Sequence, residues 1–223
     1  MNATDRPQPR QQLLDHLDHQ DALGGYSDEA FEQLGRLVEA LKPTNPVPAP
    51  MDALERVEGR WETLFAHFGA RHSAGKPKVH ESNLKVQTFN CFPPVPVRVE
   101  HISQEIARPG SAYNNVIDFV AADGQTRGTI IVRGRFEEDP ANRQRFMVEF
   151  YRAELQPAAG GSAAGLRAAL GFAADEALAK DLAKPPRFHS DVIYLDDDLR
   201  VNVGGLGGLY VLRRSADPAV SIV

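Results

Sequence analysis

Residues 190–214 (SDVIYLDDDLRVNVGGLGGLYVLRR) contain three short apolar segments that two reversals of the chain separate. The first segment (191–195) is β-branched and aromatic, which is typical of a strand. Three consecutive aspartates (196–198) end it, because Asp is depleted in strands and its carboxylate satisfies the backbone of a turn. A Gly-Gly-Leu-Gly-Gly run (204–208) makes the second reversal, since glycine adopts turn conformations at little steric cost. The chain is therefore predicted to end in three antiparallel strands, and the segments upstream must supply the rest of their sheet.

The period of two that defines a half-buried strand recurs through the middle of the chain. Arg133, for example, stands between Val132 and Gly134, and a tight Asp-Gly turn (123–124) joins two of the segments. Several antiparallel strands at short spacing, each with one apolar face, predict a mainly β closed barrel or sandwich rather than a βαβ fold. The predicted upstream strands are 57–65, 84–88, 97–106, 113–121, 130–136 and 146–150.

Helical spacing is confined to two regions. Leucines recur from residue 10 to 41 in two amphipathic segments, with Gly24-Gly25 ending the first and Ser27 predicted as the N-cap of the second. An Ala-rich stretch (159–186) predicts a helix of about 15 to 20 residues that Pro185-Pro186 ends, on the spacing of its leucines. A helix just before the last strands is an arrangement that lipocalin-like barrels use.

Four prolines between residues 43 and 50 predict a stiff, extended linker. We therefore divide the chain into an N-terminal helical appendage (1–42), a Pro-rich linker (43–52), a barrel domain (53–216) and a tail (217–223). The appendage is expected to lie across one end of the barrel, as a plug or as the contact of an oligomer.

Charge and cysteine content exclude several classes of protein. The net charge is −5 and the basic residues are scattered, whereas a nucleic-acid-binding surface needs a basic stripe. Cys91 is the single cysteine, which excludes an intramolecular disulfide and a cysteine-based metal site and favours a reducing compartment. No apolar run approaches the ~18 residues of a membrane-spanning helix. The N-terminal residues match neither a secretory nor a plastid transit peptide, so we expect a cytoplasmic protein, with peripheral contact to a membrane as an alternative.

Motifs in several strands can be compared with those of a known family. Residues 194–201 (YLDDDLRV) are followed by a Gly turn and an apolar strand that ends in basic residues. This arrangement resembles the C-terminus of the plastid lipid-associated protein (PAP/fibrillin) family. Residues 59–65 (GRWETLF) resemble its opening Gly-x-Trp-x-Leu-Leu-Tyr strand, with Thr63 and Phe65 as departures, and Gln104 and residues 115–117 (NVI) resemble its Gln and Asn-Val-Val positions. The resemblance covers about residues 54–214. Where relatives continue Arg-x-Ser-Arg-Gly-Asp, this chain has RVNVGG (200–205), so we carry over no anion contact from that loop.

The resemblance implies a lipocalin-like antiparallel β-barrel that binds lipids or isoprenoids, such as carotenoids and quinones, at or near membranes. It implies no catalytic group and no cofactor. Since the N-terminus does not match a transit peptide, a bacterial or other non-plastid member is expected.

Strand alternation predicts which side chains face the barrel interior, although a shift of one residue inverts each set. Five side chains are predicted to point inward without being assigned to the ligand: Leu84, Ile117, Ile130, Phe146 and Val148. The predicted ligand-binding residues are Trp61, Phe65, Val86, Phe119, Val132, Phe136, Phe150, Arg200 and Tyr210.

The aspartate run allows three interpretations. Several carboxylates could bind Ca²⁺ or Mg²⁺, but the run lacks the Gly and the distant Glu of an EF-hand loop, so no metal is predicted. We favour a structural role for Asp196, Asp198 and Arg200, in which Arg200 forms a partly buried ion pair with the neighbouring carboxylates and orients the last hairpin. A contact of that pair with a ligand headgroup is the alternative.

Two other functions remain open. An enzyme could use Arg200, Asp198, Gln104 and Tyr210 on a small apolar substrate, and converging titratable side chains with perturbed pKa values in a cavity would indicate it. A scaffold protein could use the helical appendage as its contact, and its barrel would be completely filled. Neither requires nucleic acid as a partner.

Overall fold

The computed structural model describes residues 8–19, 26–67, 83–108 and 111–216. Four α-helices are present in these ranges: α1 (Pro9–Asp18), α2 (Asp28–Leu41), α3 (Leu54–Val57) and α4 (Ala163–Ala169). The strands are β1 (Gly59–His67), β2 (Asn83–Lys85), β3 (Pro96–Ala107), β4 (Ala112–Val120), β5 (Arg127–Asp139), β6 (Asn142–Pro157), β7 (Ala179–Asp181), β8 (Arg187–Leu195), β9 (Leu199–Gly204) and β10 (Leu209–Arg214).

The strands form a closed antiparallel barrel, which confirms the predicted mainly β fold. The hydrogen-bonded order is β1-β10-β9-β8-β6-β5-β4-β3, and β1 also pairs with β3, so that eight strands make a ring. β2 extends the ring beside β3, and β7 pairs with β6. Because every strand of the ring has two partners, its backbone leaves no open edge.

Helices α1 and α2 cover the outside of the barrel. Their buried leucines pack against side chains that β1, β8, β9 and β10 turn outward, such as Val201 and Val211. Ser27 is the predicted N-cap of α2, and its hydroxyl accepts a hydrogen bond from Ala30 N at 3.2 Å. Gly24-Gly25 lies outside the described residues. The expected position across a barrel end is therefore wrong: the apolar stripe of α2 is buried against the wall of its own barrel.

An irregularity in β1 reverses the predicted orientation of Phe65. The register shifts between Thr63, which is opposite Leu212, and Phe65, which is opposite Val211. This β-bulge inserts one residue, so Trp61 faces the interior cluster and Phe65 lies in the outer cluster under the helices. The ring of Phe65 is 4.9 Å from that of Tyr26 and 6.2 Å from that of Phe31.

The turn after β8 holds helix α1 to the barrel. Asp196 accepts hydrogen bonds from the backbone N–H groups of residues 198 and 199, as an Asx turn does. Its other oxygen accepts from Arg10 Nε at 2.7 Å and from the Tyr194 hydroxyl at 2.8 Å. Arg10 also pairs with Asp198. The aspartate run is thus a capped turn that binds the N-terminal helix.

The Pro-rich segment closes one end of the barrel instead of acting as an extended spacer. It contains two 3₁₀ turns (Lys42–Thr44 and Pro50–Asp52), and Val47 and Met51 are buried in the interior cluster. Asn45 fixes it to β8, because its side chain donates to Ile193 O and accepts from Leu195 N.

The other end is closed by α4 and by the loop that follows β2. Leu166 of α4 and Phe92 of the loop are buried in the interior cluster. The predicted helix of about 15 to 20 residues is wrong, since α4 has seven residues and Gly171, with φ of +67°, turns the chain toward β7. The predicted strand 84–88 is also shorter than expected, because residues 88–90 have positive φ.

No helix among the described residues is both long and apolar enough to cross a bilayer.

A charged cluster lies beside the seam where β1 meets β3. The two ring nitrogens of His101 face Glu62 and Asp118, the second at 3.6 Å. Hydrogen bonding to Asp118 raises the pKa of His101 above its ordinary 6.5, and the charge of Glu62 acts in the same direction, against partial desolvation.

Substitution of Phe65 tests the attachment of the helices. We expect Phe65→Ala to lower the free energy of unfolding by about 3–5 kcal/mol, because it removes a fully buried aromatic ring. Urea unfolding followed by circular dichroism measures this. The control is Phe89→Ala, at an exposed ring, for which we expect a loss below about 1 kcal/mol. Equal losses for both variants would contradict the assignment of Phe65 to the helix interface.

The histidine at the seam makes stability depend on pH. Because its folded pKa is raised, His101 contributes stability fully below its unfolded pKa of 6.5, and this contribution disappears as pH rises through the folded pKa. The stability difference between wild type and His101→Gln should therefore be largest in acid and shrink above neutrality. Urea midpoints across pH measure it, and a difference independent of pH would contradict the ion pairs.

Candidate functional site

Six polar side chains meet inside the barrel, where strand alternation otherwise places apolar residues. They come from β3, β4, β8, β9 and β10, and we call them the interior polar cluster. Its members are Gln104, Tyr113, Ser190, Arg200, Asn202 and Tyr210.

Arg200 is the centre of this cluster and is completely buried. Its Nη2 donates to Gln104 Oε1 at 2.6 Å, and its guanidinium carbon lies 4.7 Å from the centroid of the Trp61 ring. Arg214 lies 4.2 Å from the same centroid. Trp61 is itself held by a hydrogen bond from its indole Nε1 to Val57 O at 2.8 Å. The cation is therefore held by an aromatic ring and an amide oxygen, both of them neutral.

Several polar atoms of the cluster have no hydrogen-bond partner among residues 8–19, 26–67, 83–108 and 111–216. Nε and Nη1 of Arg200 and Oδ1 of Asn202 are buried without one. Leaving a buried polar group unpaired costs about 1–3 kcal/mol, and more when it is charged. Because Arg200 and Asn202 are two residues apart on β9, their side chains face the same side of the sheet.

Arg200 also has no counter-charge in the part of the chain that the structure describes. Burial lowers its pKa to about 10, and the charge of Arg214 acts in the same direction, so the side chain is still protonated at neutral pH. Among the described ranges it forms no ion pair, and the predicted pairing with Asp196 and Asp198 is wrong: those carboxylates pair with Arg10 on the outside of the barrel. The reason is the alternation of β9, which turns Arg200 inward.

The neutral members of the cluster connect to one another. The Tyr113 hydroxyl donates to Gln104 Oε1 at 3.1 Å, so this oxygen accepts from both Tyr113 and Arg200. Asn202 Nδ2 donates to Ser190 Oγ at 3.0 Å, and Ser190 in turn bonds to Tyr113. Burial raises the pKa of the Tyr113 hydroxyl, which keeps it a neutral hydrogen-bond donor.

A series of aromatic rings leads from the cluster to one end of the barrel. The ring of Tyr113 is 6.3 Å from that of Phe150, which is 5.8 Å from that of Phe89. Phe89 also stacks on Phe188 at 6.4 Å. Phe89 is 46 % exposed, although its loop otherwise packs into the barrel end. The series therefore joins the buried cluster to the surface.

At this end the structure has an open groove of about 600 Å³. We call it the end groove. It lies between the loop that follows β2 and the segment that joins β7 to β8. Its walls are Phe89, Asn90, Cys91, Lys180, Asp181, Leu182, Ala183, Lys184 and Pro186. A second depression, of about 450 Å³, opens at the opposite end beside Leu54, Phe136 and Glu138, and has a more polar lining.

The structure assembles most of the predicted binding residues. Arg200 and Tyr210 belong to the interior polar cluster, whereas Phe65 is outside the wall, and Val86 belongs to the end-closing loop and not to a strand. The remaining predicted residues lie in the interior apolar cluster: Trp61, Phe119, Val132, Phe136 and Phe150.

Sequence reasoning did not find Tyr113, Ser190, Asn202 or Phe89 as site residues, and it named Gln104 only by resemblance and in the enzyme alternative. One signal was present in the sequence: Arg200 and Asn202 are polar residues two positions apart, and the residues that alternate with them, Val201 and Val203, are apolar.

No group of three or more His, Cys, Asp or Glu side chains suited to a metal ion occurs in the described part of the chain.

Comparisons with known proteins cover most of the chain. The model of the PAP_fibrillin family matches residues 8–213, which includes the N-terminal helices and the Pro-rich segment. A curated relative, the chloroplastic light-induced protein of Solanum tuberosum, is 25% identical over 240 residues, covering 94% of this chain and 68% of its own length. No solved structure matches the chain.

Substitution of the buried cation tests its environment. We expect Arg200→Met to leave the free energy of unfolding unchanged or to raise it by about 1–4 kcal/mol, because an apolar side chain of similar length needs no counter-charge. Gln104→Ala should lower it by about 1–3 kcal/mol in the wild-type background, since it orphans Arg200 and Tyr113. In the Arg200→Met background that loss should be smaller. Urea unfolding measures all four proteins, and a loss above about 3 kcal/mol for Arg200→Met would contradict the absence of a counter-charge.

Proposed function

We propose that this protein, which belongs to the PAP_fibrillin family, binds a lipid or isoprenoid in the interior of its barrel without altering it chemically. The family and the barrel together fit a lipid-associated protein. The apolar ligand we infer is quinone-like, carotenoid-like or a simple lipid, and the end groove is its entrance.

The observation that carries this proposal is the series of aromatic rings from the exposed Phe89 to Tyr113. An exposed aromatic side chain at the mouth of a barrel gives an apolar ligand a first apolar contact while the ligand is still partly in water. Burial contributes about 0.8 kcal/mol per methylene, so a chain of about eight methylenes offsets much of the ~4–15 kcal/mol that association costs.

A binding role fits the interior polar cluster better than catalysis. The cluster contains no carboxylate, histidine or cysteine. Burial raises the pKa of Tyr113 and holds that of Arg200 at about 10, so neither group titrates near neutrality, where a general acid or base is most effective. The enzyme alternative also named Asp198, which lies outside the barrel with Arg10.

We further propose that the end groove faces the membrane or carrier from which the ligand comes. The exposed ring of Phe89 and the ammonium group of Lys184 line this groove, where Lys180 pairs with Glu176 and Asp181 pairs with Arg152. An exposed aromatic ring beside an ammonium group suits the boundary between lipid headgroups and acyl chains. A cytoplasmic protein in peripheral contact with a membrane fits this arrangement.

The ligand itself is the first test. Protein purified from its native host should yield a lipid or isoprenoid at nearly one molecule per chain when its organic extract is analysed by mass spectrometry. An empty extract, from protein that also binds no member of a lipid panel, would overturn the proposed function.

The single cysteine allows a test of the entrance. Cys91 lines the end groove, and burial raises the pKa of its thiol, so it should be modified with N-phenylmaleimide at mildly alkaline pH. We expect the added ring to weaken binding of retinol or parinaric acid by ~10-fold or more, since it occupies the apolar wall. Cys91→Ala treated in the same way is the control and should bind normally. Unchanged binding by fully modified protein would contradict entry through this groove.

A further inference from the structure

We infer that the interior polar cluster recognises the ionised carboxylate of a long-chain acid, with Arg200 as the residue that binds it. This inference rests on the proposed function and narrows it, because an alcohol, ester or hydrocarbon of the same length offers no negative charge.

The chemistry of the ligand follows from the hydrogen-bond donors of Arg200 that no described residue pairs with. Arg200 is buried and protonated, and its Nε and Nη1 are donors that no described residue accepts from. Its neighbours are Trp61, Gln104 and Tyr113, none of which carries a charge, while Arg214 adds a second positive charge next to the same Trp61 ring. An anion is therefore the missing partner, and a carboxylate satisfies a guanidinium through two parallel hydrogen bonds.

The cluster favours a carboxylate over a larger or doubly charged anion. Among the described residues, only one cation faces the interior with free donors, because Arg214 uses Nε, Nη1 and Nη2 on backbone oxygens of residues 197, 58 and 56. The Tyr113 hydroxyl donates to the same Gln104 oxygen as Arg200, so it belongs to the hydrogen-bonded group around that oxygen. A single negative charge balances the site.

The position of Arg200 sets the orientation of the ligand. Gly204, at the end of β9, is four positions further along the strand than Arg200, which is about 13 Å at about 3.3 Å per residue. A ligand whose carboxylate meets Arg200 therefore directs its tail along Phe150 and Phe89 toward the end groove. The acyl chain of the ligand then lies against the aromatic rings, and its carboxylate lies against the interior polar cluster. Each part is therefore in an environment that suits its polarity.

The test compares palmitate with hexadecanol, two ligands of equal chain length that differ in charge. Binding of each to the delipidated full chain is measured by isothermal titration calorimetry and by the fluorescence of Trp61, the single tryptophan, which contacts Arg200. We expect palmitate to bind ~10-fold or more tightly than hexadecanol, as charged hydrogen bonds of this kind allow. Arg200→Met should abolish the preference while retaining hexadecanol binding.

Arg213→Met is the matched control. Arg213 lies on β10 opposite Leu199, on the outer face of the wall, and should keep the full preference for palmitate. A second readout does not depend on any variant. Palmitate labelled with carbon-13 at its carboxyl should keep the chemical shift of the ionised form when bound, at pH values where the free acid is protonated.

The possible results distinguish a failure of the inference from a failure of the proposed function. Equal binding of palmitate and hexadecanol, or a bound carboxyl that titrates like the free acid, would overturn the inference and leave the proposed function standing. Failure of both ligands to bind, together with an empty native extract, would overturn the proposed function and the inference with it. If Arg200→Met does not fold, the wild-type comparison and the carbon-13 titration decide the question.

Discussion

Closure of the barrel depends on β1, which pairs with β10 on one side and with β3 on the other. Its contact with β3 is short, from Gly59 to Glu62, and the bulge that follows divides the strand into two functional parts. Before the bulge, Trp61 points inward and supports the buried cation. After it, Phe65 points outward and anchors the helices. One inserted residue thus lets a single strand hold both the interior and the exterior together.

The interior that this closure creates is unusual in one respect: it isolates a positive charge. The wall and the helices packed on its outer face keep Arg200 from water, and the protein supplies it with an aromatic ring and an amide but with no carboxylate from the described residues. A barrel that served only to pack its own side chains would be more stable with an apolar residue there. On the proposed function, a ligand offsets the cost of the isolated charge, and the polar cluster and the aromatic rings then form one site.

Much of the fold was predictable, because alternation, turns and helix caps are local. The last three strands, the Asp and Gly reversals and the cap at Ser27 agree with the structure. The failures share a cause in long-range contacts. The Ala-rich segment is rich in helix-forming residues, yet its residues 179–181 pair with β6 as β7, and Val86 leaves the strand pattern to close the barrel end. Local propensity does not include the stabilisation that such partners provide.

The sequence alone determined that Arg200 and Asn202 share one face of a strand, because side chains two residues apart project to the same side whatever the strand pairs with. It also determined that Asp196 caps a turn, since an Asx turn uses only neighbouring backbone. The tertiary structure decided that the face of Arg200 is the inside, that Gln104 rather than Asp198 meets it, and that Arg10 takes the aspartates. These choices depend on barrel closure and on bulges, which bring together residues nearly 190 positions apart and which no local pattern encodes.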